Sequence, residues 1–400
     1  MLAAACILAV IASVAVWHDN GGSTRTTPTT PSADVVSALR HQLGQLQEAQ
    51  NEDDFVRAAG KDKRAASWAR TAWNNLRLLK VRDLKFRYVS GGQAPIDSAD
   101  TREARVHITW TPGSGTGFAS GTSSATVGLR VRPLSADTVA IAGATGDDGR
   151  LPLWLAGNLR RQRSDDVIVY QVGRDDAELE AARLARRAVT RVRRVLTARD
   201  LEPLVVIVPD GAATMAQLLD QADATELAAV TAHVTGEDGP VSVFCNPDVF
   251  DSMDERAAQV VMTHEATHAL TAAIGESGPP WVLEGFADWV ALHDDRAGLA
   301  VSAGQILRRV ARDGAPSQLP DRDEFAASRD DLGTVYEGAW MVFRMLSERY
   351  SDAEITAFYR AVLQGTDVDA AARDHFGLGV PKITEQWRRY LENKASIVSE

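Results

Sequence analysis

The sequence predicts an α+β protein with two folded parts, and three observations lead to this prediction. The chain has 400 residues, 45% of them hydrophobic and 24% charged, which is a globular composition long enough for two domains. Apolar residues recur at helical spacing over residues 34–80 and at every second position from residue 81. Beyond residue 250 the spacing is helical again. We therefore expect an α+β domain over residues 34–163, followed over residues 164–400 by a mixed sheet and a mainly helical C-terminal part.

The N-terminus carries an apolar, uncharged run from Leu2 to Trp17. Its length lies between the apolar region of a signal peptide, about 7–15 residues, and a membrane span of about 20 residues. Residues 19–33 are rich in Ser, Thr and Pro, which is typical of a flexible stalk. We therefore expect residues 1–18 to be a signal or anchor segment. The remainder would be extracytoplasmic, either single-pass membrane-anchored through the N-terminal segment or secreted after cleavage.

Charge and cysteine content exclude several classes of protein. The net charge of −11 argues against nucleic acid as a partner, because phosphate binding requires a basic surface. The two cysteines, Cys6 and Cys245, are too few for a disulfide framework or a Cys-rich zinc site.

The first domain begins with helical patterns and continues with alternating strands such as Leu84-Phe86-Tyr88 and Val106-Ile108-Trp110. Gly- and Ser-rich breaks separate the strands as hairpin turns would. This order resembles the nuclear-transport-factor-2-like fold, which implies a cone-shaped α+β domain with a helical layer against a curved sheet. No constellation of chemically active residues occurs in this region, so we interpret it as a packing or binding module.

The second domain opens with a strand (VIVYQV) and an Arg-rich helix over residues 176–198. The arginines indicate either a basic binding face or, as we favour, a solvated face with interleaved acids. Further strands are predicted at residues 204–209, at AAVTAHV and at VSVFC, residues 241–245.

The chemistry is concentrated in His264-Glu265-Ala266-Thr267-His268, an HExxH motif. On a helix, positions four apart differ by only about 40° of rotation, so both imidazoles project from one face and can bind one zinc ion. Glu265 projects to the side, where it can reach a water on the metal. We predict that Ser252 and Glu255 form a capping box at the start of this helix and that Gly275 ends it.

The following segment strengthens the zinc prediction. After Pro279-Pro280, the helical sequence WVLEGFADWVALH places Glu284 and Asp288 four residues apart on one face. Glu284 can supply a third ligand and leave a fourth position open. Asp288 can accept the second N–H of a ligand histidine. The alternative is that both are exposed helix carboxylates.

HEATHAL followed by PPWVLEGFADWV resembles the gluzincin metallopeptidases, of aminopeptidase-N and thermolysin type, and is most similar to the compact peptidase-MA-like group. The resemblance implies a zincin-type fold for residues 164–400, with His264, His268 and Glu284 as zinc ligands and Glu265 as general base. Asp288 matches the acidic residue four positions after the ligand glutamate.

The resemblance has two further implications. Similar helices in these families present a phenol near the metal, so Tyr336 is a candidate to stabilise the oxyanion, with a core aromatic as the alternative. The strand VSVFC precedes the metal helix, where gluzincins bind an extended substrate by strand addition. Cys245, at the end of that strand, would be a buried bystander.

We therefore expect an extracytoplasmic zinc metallopeptidase that hydrolyses a peptide or protein substrate by Glu265-assisted attack of zinc-bound water. Two alternatives remain. One is a catalytically silent zincin-fold binding or regulatory module. The other is a zinc hydrolase of a non-peptide amide in the cell wall.

Overall fold

A computed structural model describes residues 33–95, 101–118, 121–135, 138–146, 150–173, 180–197, 201–234, 241–273, 278–325 and 331–398. The predicted signal or anchor segment, and the stalk up to residue 32, lie outside these ranges. Within them, every helix is too short or too polar to span a bilayer.

The N-terminal part consists of three helices and an antiparallel sheet of four strands in the order β1-β2-β3-β4. The helices cover the sheet face on which Val106 and Ile108 are buried. Two helices start where the side chain of Asn51 or Asp62 accepts backbone N–H groups. The elements are α1 (Ala33–Glu48), α2 (Glu52–Ala59), α3 (Lys63–Leu78), β1 (Arg82–Pro95), β2 (Arg102–Thr111), β3 (Ser123–Pro133) and β4 (Val139–Gly146).

A short 3-10 helix (Leu153–Leu155) leads into a second sheet of five strands in the order β5-β6-β7-β9-β8. The pairs β6–β7 and β7–β9 are parallel, whereas β5 and β8 pair antiparallel at the two edges. The predicted mixed sheet is therefore confirmed. Its strands are β5 (Leu159–Arg163), β6 (Val167–Val172), β7 (Leu204–Val208), β8 (Ala229–His233) and β9 (Val241–Cys245).

The second sheet is buried on both faces. Val167 and Val206 belong to a hydrophobic cluster shared with the helices that follow the sheet. The alternate residues Ile168 and Val205 belong to a second cluster, shared with the N-terminal helices and sheet. The predicted domain boundary at residues 163/164 falls in the turn of the β5–β6 hairpin. The core therefore continues across this position.

The helices beyond residue 250 agree with the prediction, whereas the helix Ala212–Leu219 was not predicted. In the second part of the described chain, the remaining regular elements are all helices. Its helices are α4 (Glu180–Leu196), α5 (Ala212–Leu219), α6 (Pro247–Phe250), α7 (Glu255–Thr271), α8 (Pro280–Ala291), α9 (Leu299–Ser302), α10 (Gly304–Asp313), α11 (Leu332–Ser347), α12 (Asp352–Leu363), α13 (Val368–Phe376) and α14 (Val380–Val398).

Both predicted ends of the HExxH helix are wrong. The N-cap of α7 is Asp254, whose side chain accepts the N–H of Ala257 at 2.8 Å, so the Ser252 capping box does not form. At the other end α7 stops at Thr271, because Ala272 adopts a left-handed conformation with φ 54°. The helix thus ends before Gly275 is reached.

The arginines of α4 form ion pairs within the chain. Arg183 and Arg187 both contact Glu255, at 2.8 and 2.7 Å, and Arg194 contacts Asp294. These pairs connect α4 to the N-terminus of α7 and to the segment after α8. The acids that balance the arginines come largely from other elements rather than from α4 itself.

Candidate metal centre

Two helices bring the predicted metal ligands together. His264 and His268 lie on one face of α7, and Glu284 lies on α8, which packs against α7. All three residues are buried, and His264 is fully enclosed. Among the described residues, these three form the group whose ligand atoms are close enough to hold one metal ion.

The three ligand atoms form a nearly equilateral triangle. The Nε2 atoms of His264 and His268 are 3.0 Å apart. Oε2 of Glu284 lies 3.1 Å from Nε2 of His264 and 3.3 Å from Nε2 of His268. Zinc bonds of about 2.0–2.1 Å in a tetrahedral site require ligand separations of about 3.3–3.4 Å. The triangle is therefore close to the size that zinc requires.

Asp288 lies one turn after Glu284 and contacts the other nitrogen of His264. Its Oδ1 atom is 2.8 Å from Nδ1 of His264. Asp288 is 8% exposed and therefore shielded from most water. A carboxylate at Nδ1 favours the tautomer in which this nitrogen carries the proton, and it leaves Nε2 as the electron-pair donor.

The site attracts positive charge. Burial by itself opposes protonation of His264, but the carboxylates of Asp288 and Glu284 outweigh it and raise the pKa of His264 well above its ordinary value. For Glu284, burial by itself has the opposite effect and would raise the pKa of the carboxyl group. His268 and His264 outweigh that effect and hold the pKa of Glu284 well below its usual range.

Glu265 follows His264 on α7 and is 1% exposed. Its Oε2 atom accepts a hydrogen bond from the hydroxyl of Thr231, on β8, at 2.6 Å. Its Oε1 atom is buried and has no hydrogen-bond partner among the described residues. A buried carboxylate oxygen of this kind is suited to accept a proton from a small molecule bound beside it.

Thr231 is the residue of this site that sequence reasoning missed. It lies in the short strand AVTAH, between the apolar residues Val230 and Ala232. A single hydroxyl between apolar residues was the one feature of the sequence that could have indicated a role for Thr231.

Tyr336 lies on α11, at the edge of the metal centre. Its ring centroid is 6.1 Å from that of His264 and 5.0 Å from that of Phe325, in edge-to-face arrangements. It is buried, with Leu332 and Phe325 as hydrophobic neighbours. The structure thus places the Tyr336 ring in edge-to-face contact with the ring of His264, a candidate ligand.

The donor set fits zinc. Two imidazole nitrogens and one carboxylate are ligands that catalytic zinc sites use, and they leave one tetrahedral position for another molecule. The buried Oε1 atom of Glu265 places a carboxylate oxygen on the residue next to a candidate ligand. The residues that the structure brings together therefore fit a zinc ion by their chemistry, with a buried carboxylate beside the candidate ligands.

The prediction that an extended substrate pairs with the strand VSVFC is wrong. This strand, β9, pairs with β7 through Val206 and Val243 and with β8 through Val230 and Phe244, so neither side is available. The edge strand beside α7 is β8. Cys245 is buried at the end of β9, and burial and then the charge of Glu265 raise the pKa of its thiol.

A scan against protein-family models finds no match, and a search of curated proteins finds none either. Among solved structures, the chain is similar to an M1 zinc metallopeptidase from Deinococcus radiodurans, with a TM-score of 0.37 and 13% sequence identity. A mutant of an M1 zinc metallopeptidase from the same organism, bound to a Tyr-Ser-Ala substrate, has a TM-score of 0.35 and 13% identity. Each match covers 78% of this chain and 61% of the other, so the chain spans about three fifths of the length of those structures.

Proposed function

We propose that the protein is a zinc-dependent metallopeptidase that hydrolyses peptide bonds in a peptide or protein substrate. One observation supports this proposal above others. The ligand atoms of His264, His268 and Glu284 lie 3.0–3.3 Å apart, in a buried site next to the carboxylate of Glu265. This combination provides a metal-binding site and a proton acceptor on neighbouring residues.

The protein's residues divide the work of hydrolysis. Zinc, when bound by His264, His268 and Glu284, supplies Lewis acidity toward a carbonyl oxygen and a water molecule. Glu265 accepts a proton from the attacking water through Oε1, which has no hydrogen-bond partner among the described residues, and passes that proton to the leaving amine nitrogen. Asp288 keeps His264 oriented through the Nδ1 contact.

Tyr336 has a proposed role at the substrate carbonyl. Its position beside His264 suits a phenol that donates a hydrogen bond to the oxygen on which negative charge develops. We propose that it contributes to the rate in this way, in addition to its packing against Phe325.

We propose that an extended substrate pairs with β8 rather than with β9. Among the described strands, β9 alone pairs with β8, and β8 adjoins α7 through Thr231. A peptide added to this edge would gain main-chain hydrogen bonds next to the metal centre.

The location of the protein is a separate proposal, based on residues 1–33. Their apolar run and Ser/Thr/Pro-rich stalk support an extracytoplasmic protein that is membrane-anchored through its N-terminus or secreted. The nuclear-transport-factor-2-like reading of residues 34–163 is likewise a proposal, supported by the order of three helices and four antiparallel strands.

Zinc content and peptidase activity of the full chain test the function together. We expect about one zinc per chain after dialysis against chelator-free buffer, and hydrolysis of labelled casein or short peptides. Glu265→Gln is the matched control, because it should keep zinc and lose turnover. A folded protein that refuses added zinc would favour the binding-module alternative. Zinc without peptidase activity would contradict the peptidase function, and hydrolysis of a cell-wall amide would then distinguish a non-peptide hydrolase from a catalytically silent module.

A further inference from the structure

The hydroxyl of Thr231 makes two contacts with Glu265. Oγ1 lies 2.6 Å from the carboxylate Oε2 and 2.9 Å from the backbone oxygen of Glu265. A hydroxyl has one hydrogen and donates to one acceptor at a time. A distance of 2.6 Å is typical of a charge-assisted O–H···O⁻ bond, so the carboxylate is the favoured acceptor.

The two oxygens of the Glu265 carboxylate are therefore in different surroundings. Oε2 accepts from Thr231, whereas Oε1 is buried without a partner among the described residues. The last torsion of a glutamate side chain has broad, roughly two-fold minima, so the side chain alone does not select one orientation of the carboxylate. The hydrogen bond from Thr231 to Oε2 therefore determines the orientation of the carboxylate.

The location of Thr231 makes this contact well defined. Thr231 is on β8, paired with Val243 of β9, and lies on the sheet face that packs against α7. It is 9% exposed, so little water competes for the carboxylate. Strand and helix are both regular elements, which fixes the distance between the hydroxyl and the carboxylate.

We propose that Thr231 is a positioning residue for Glu265. Its hydroxyl binds Oε2 and thereby directs Oε1 toward a molecule bound at the three metal ligands. This inference rests on the proposed function of Glu265 as proton acceptor. It adds a residue, 34 positions away in sequence, that controls how the acceptor is presented.

A purely structural role for Thr231 is the competing explanation, because the same hydroxyl can connect β8 to the backbone of α7. Two substitutions separate the roles. Thr231→Val keeps the shape of the side chain but cannot donate, whereas Thr231→Ser keeps the hydroxyl. Thr231→Ala is the second hydroxyl-free variant if Val does not fold.

The first measurement is kinetic and uses the full chain loaded with zinc, with labelled casein as substrate. We expect Thr231→Val to keep its zinc and KM, and to lose about 10- to 100-fold in kcat, as small misplacements of catalytic groups do. Thr231→Ser should restore most of kcat. Equal kcat in wild type and Thr231→Val, or equal losses in Val and Ser, would overturn the proposal.

The second measurement does not depend on activity. Crystal structures of the zinc-loaded wild type and of the Val and Ser variants would show the orientation of the Glu265 carboxylate. We expect it to change in Thr231→Val and to be kept in Thr231→Ser, and an unchanged carboxylate in the Val variant would refute the proposal. A wild type without turnover would count against the peptidase function, while these structures would still decide the role of Thr231.

Discussion

Oδ1 of Asp288 lies 2.8 Å from Nδ1 of His264, one helical turn after the candidate ligand Glu284. One helix thus carries both a candidate ligand, Glu284, and the carboxylate that contacts a candidate ligand on the neighbouring helix. The geometry of α8 relative to α7 therefore determines the metal centre as a whole.

Replacing Asp288 should weaken zinc binding. We expect Asp288→Ala to lower zinc affinity about 10- to 100-fold, because His264 loses the partner that fixes its tautomer and orientation. Competition with a chromophoric chelator measures this affinity. Asp374→Ala is the control, since the Asp374 side chain is 84% exposed on α13. Equal affinity in wild type and Asp288→Ala would remove Asp288 from the site.

Gly285, next to Glu284, permits the close approach of α8 to α11. A Cβ atom at Gly285 would lie 2.6 Å from the backbone oxygen of Ala339. We expect Gly285→Ala to push the helices apart, to lower the free energy of unfolding by about 1–3 kcal/mol, and to weaken zinc binding.

Gly44→Ala is the matched control for Gly285→Ala, because Gly44 is exposed on α1 and a Cβ there meets nothing within 4 Å. This substitution should raise stability by up to about 1 kcal/mol through helix propensity. Chemical denaturation measures both effects. A stabilising effect of Gly285→Ala would contradict the close contact.

The Tyr336 hydroxyl should matter for turnover and not for binding. Tyr336→Phe keeps the ring between His264 and Phe325 but removes the proposed donor to the oxyanion. We expect kcat on a peptide substrate to fall about 10- to 100-fold with KM unchanged. This fall is at or below the decrease in kcat of about 100- to 1000-fold that removal of one oxyanion donor causes in other hydrolases. If kcat is unaffected, Tyr336 serves only in packing.

Glu337, the residue after Tyr336, makes stability depend on pH. Its carboxylate accepts the N–H of Ile306 at 2.8 Å and lies half-buried between α11 and α10. Burial raises the pKa of Glu337 to about 7, above its ordinary value of 4.5. The folded state therefore favours the protonated form, and this contribution to stability is lost as the pH rises from about 4.5 through 7.

Glu337→Gln removes this titration while its side-chain oxygen can still accept from Ile306. We expect the Tm of the variant, relative to wild type, to increase by a few degrees from pH 5 to pH 8. The difference between the two proteins cancels the titration of the metal centre, which both contain. A Tm difference that is the same at both pH values would contradict the prediction.

Local patterns predicted much of the fold. The alternation of apolar residues in β2 and the helical spacing after residue 250 both follow from which face of an element is buried, and nearby residues carry that information. The spacing of His264 and His268, and of Glu284 and Asp288, is likewise a property of single helices. The structure brings these four residues together, although their binding of zinc stays a prediction.

Relationships between distant elements were not predictable in this way. β8 and β9 are both short and apolar, so their patterns do not reveal which one lies at the edge of the sheet. The contact of Thr231 with Glu265 depends on that same strand order. At the start of α7, Ser252 and Asp254 are both good N-cap residues, and the observed start selects Asp254 because its carboxylate reaches Ala257.

The burial of the second sheet on both faces also determines how the protein unfolds. Ile168 and Val205 lie in the cluster of the N-terminal part, while their neighbours Val167 and Val206 lie in the cluster of the helices. Loss of either part would expose one side of the same strands to water, so neither can melt without weakening the other. We expect calorimetry to record one cooperative transition for residues 34–400, and two separate transitions would contradict this coupling.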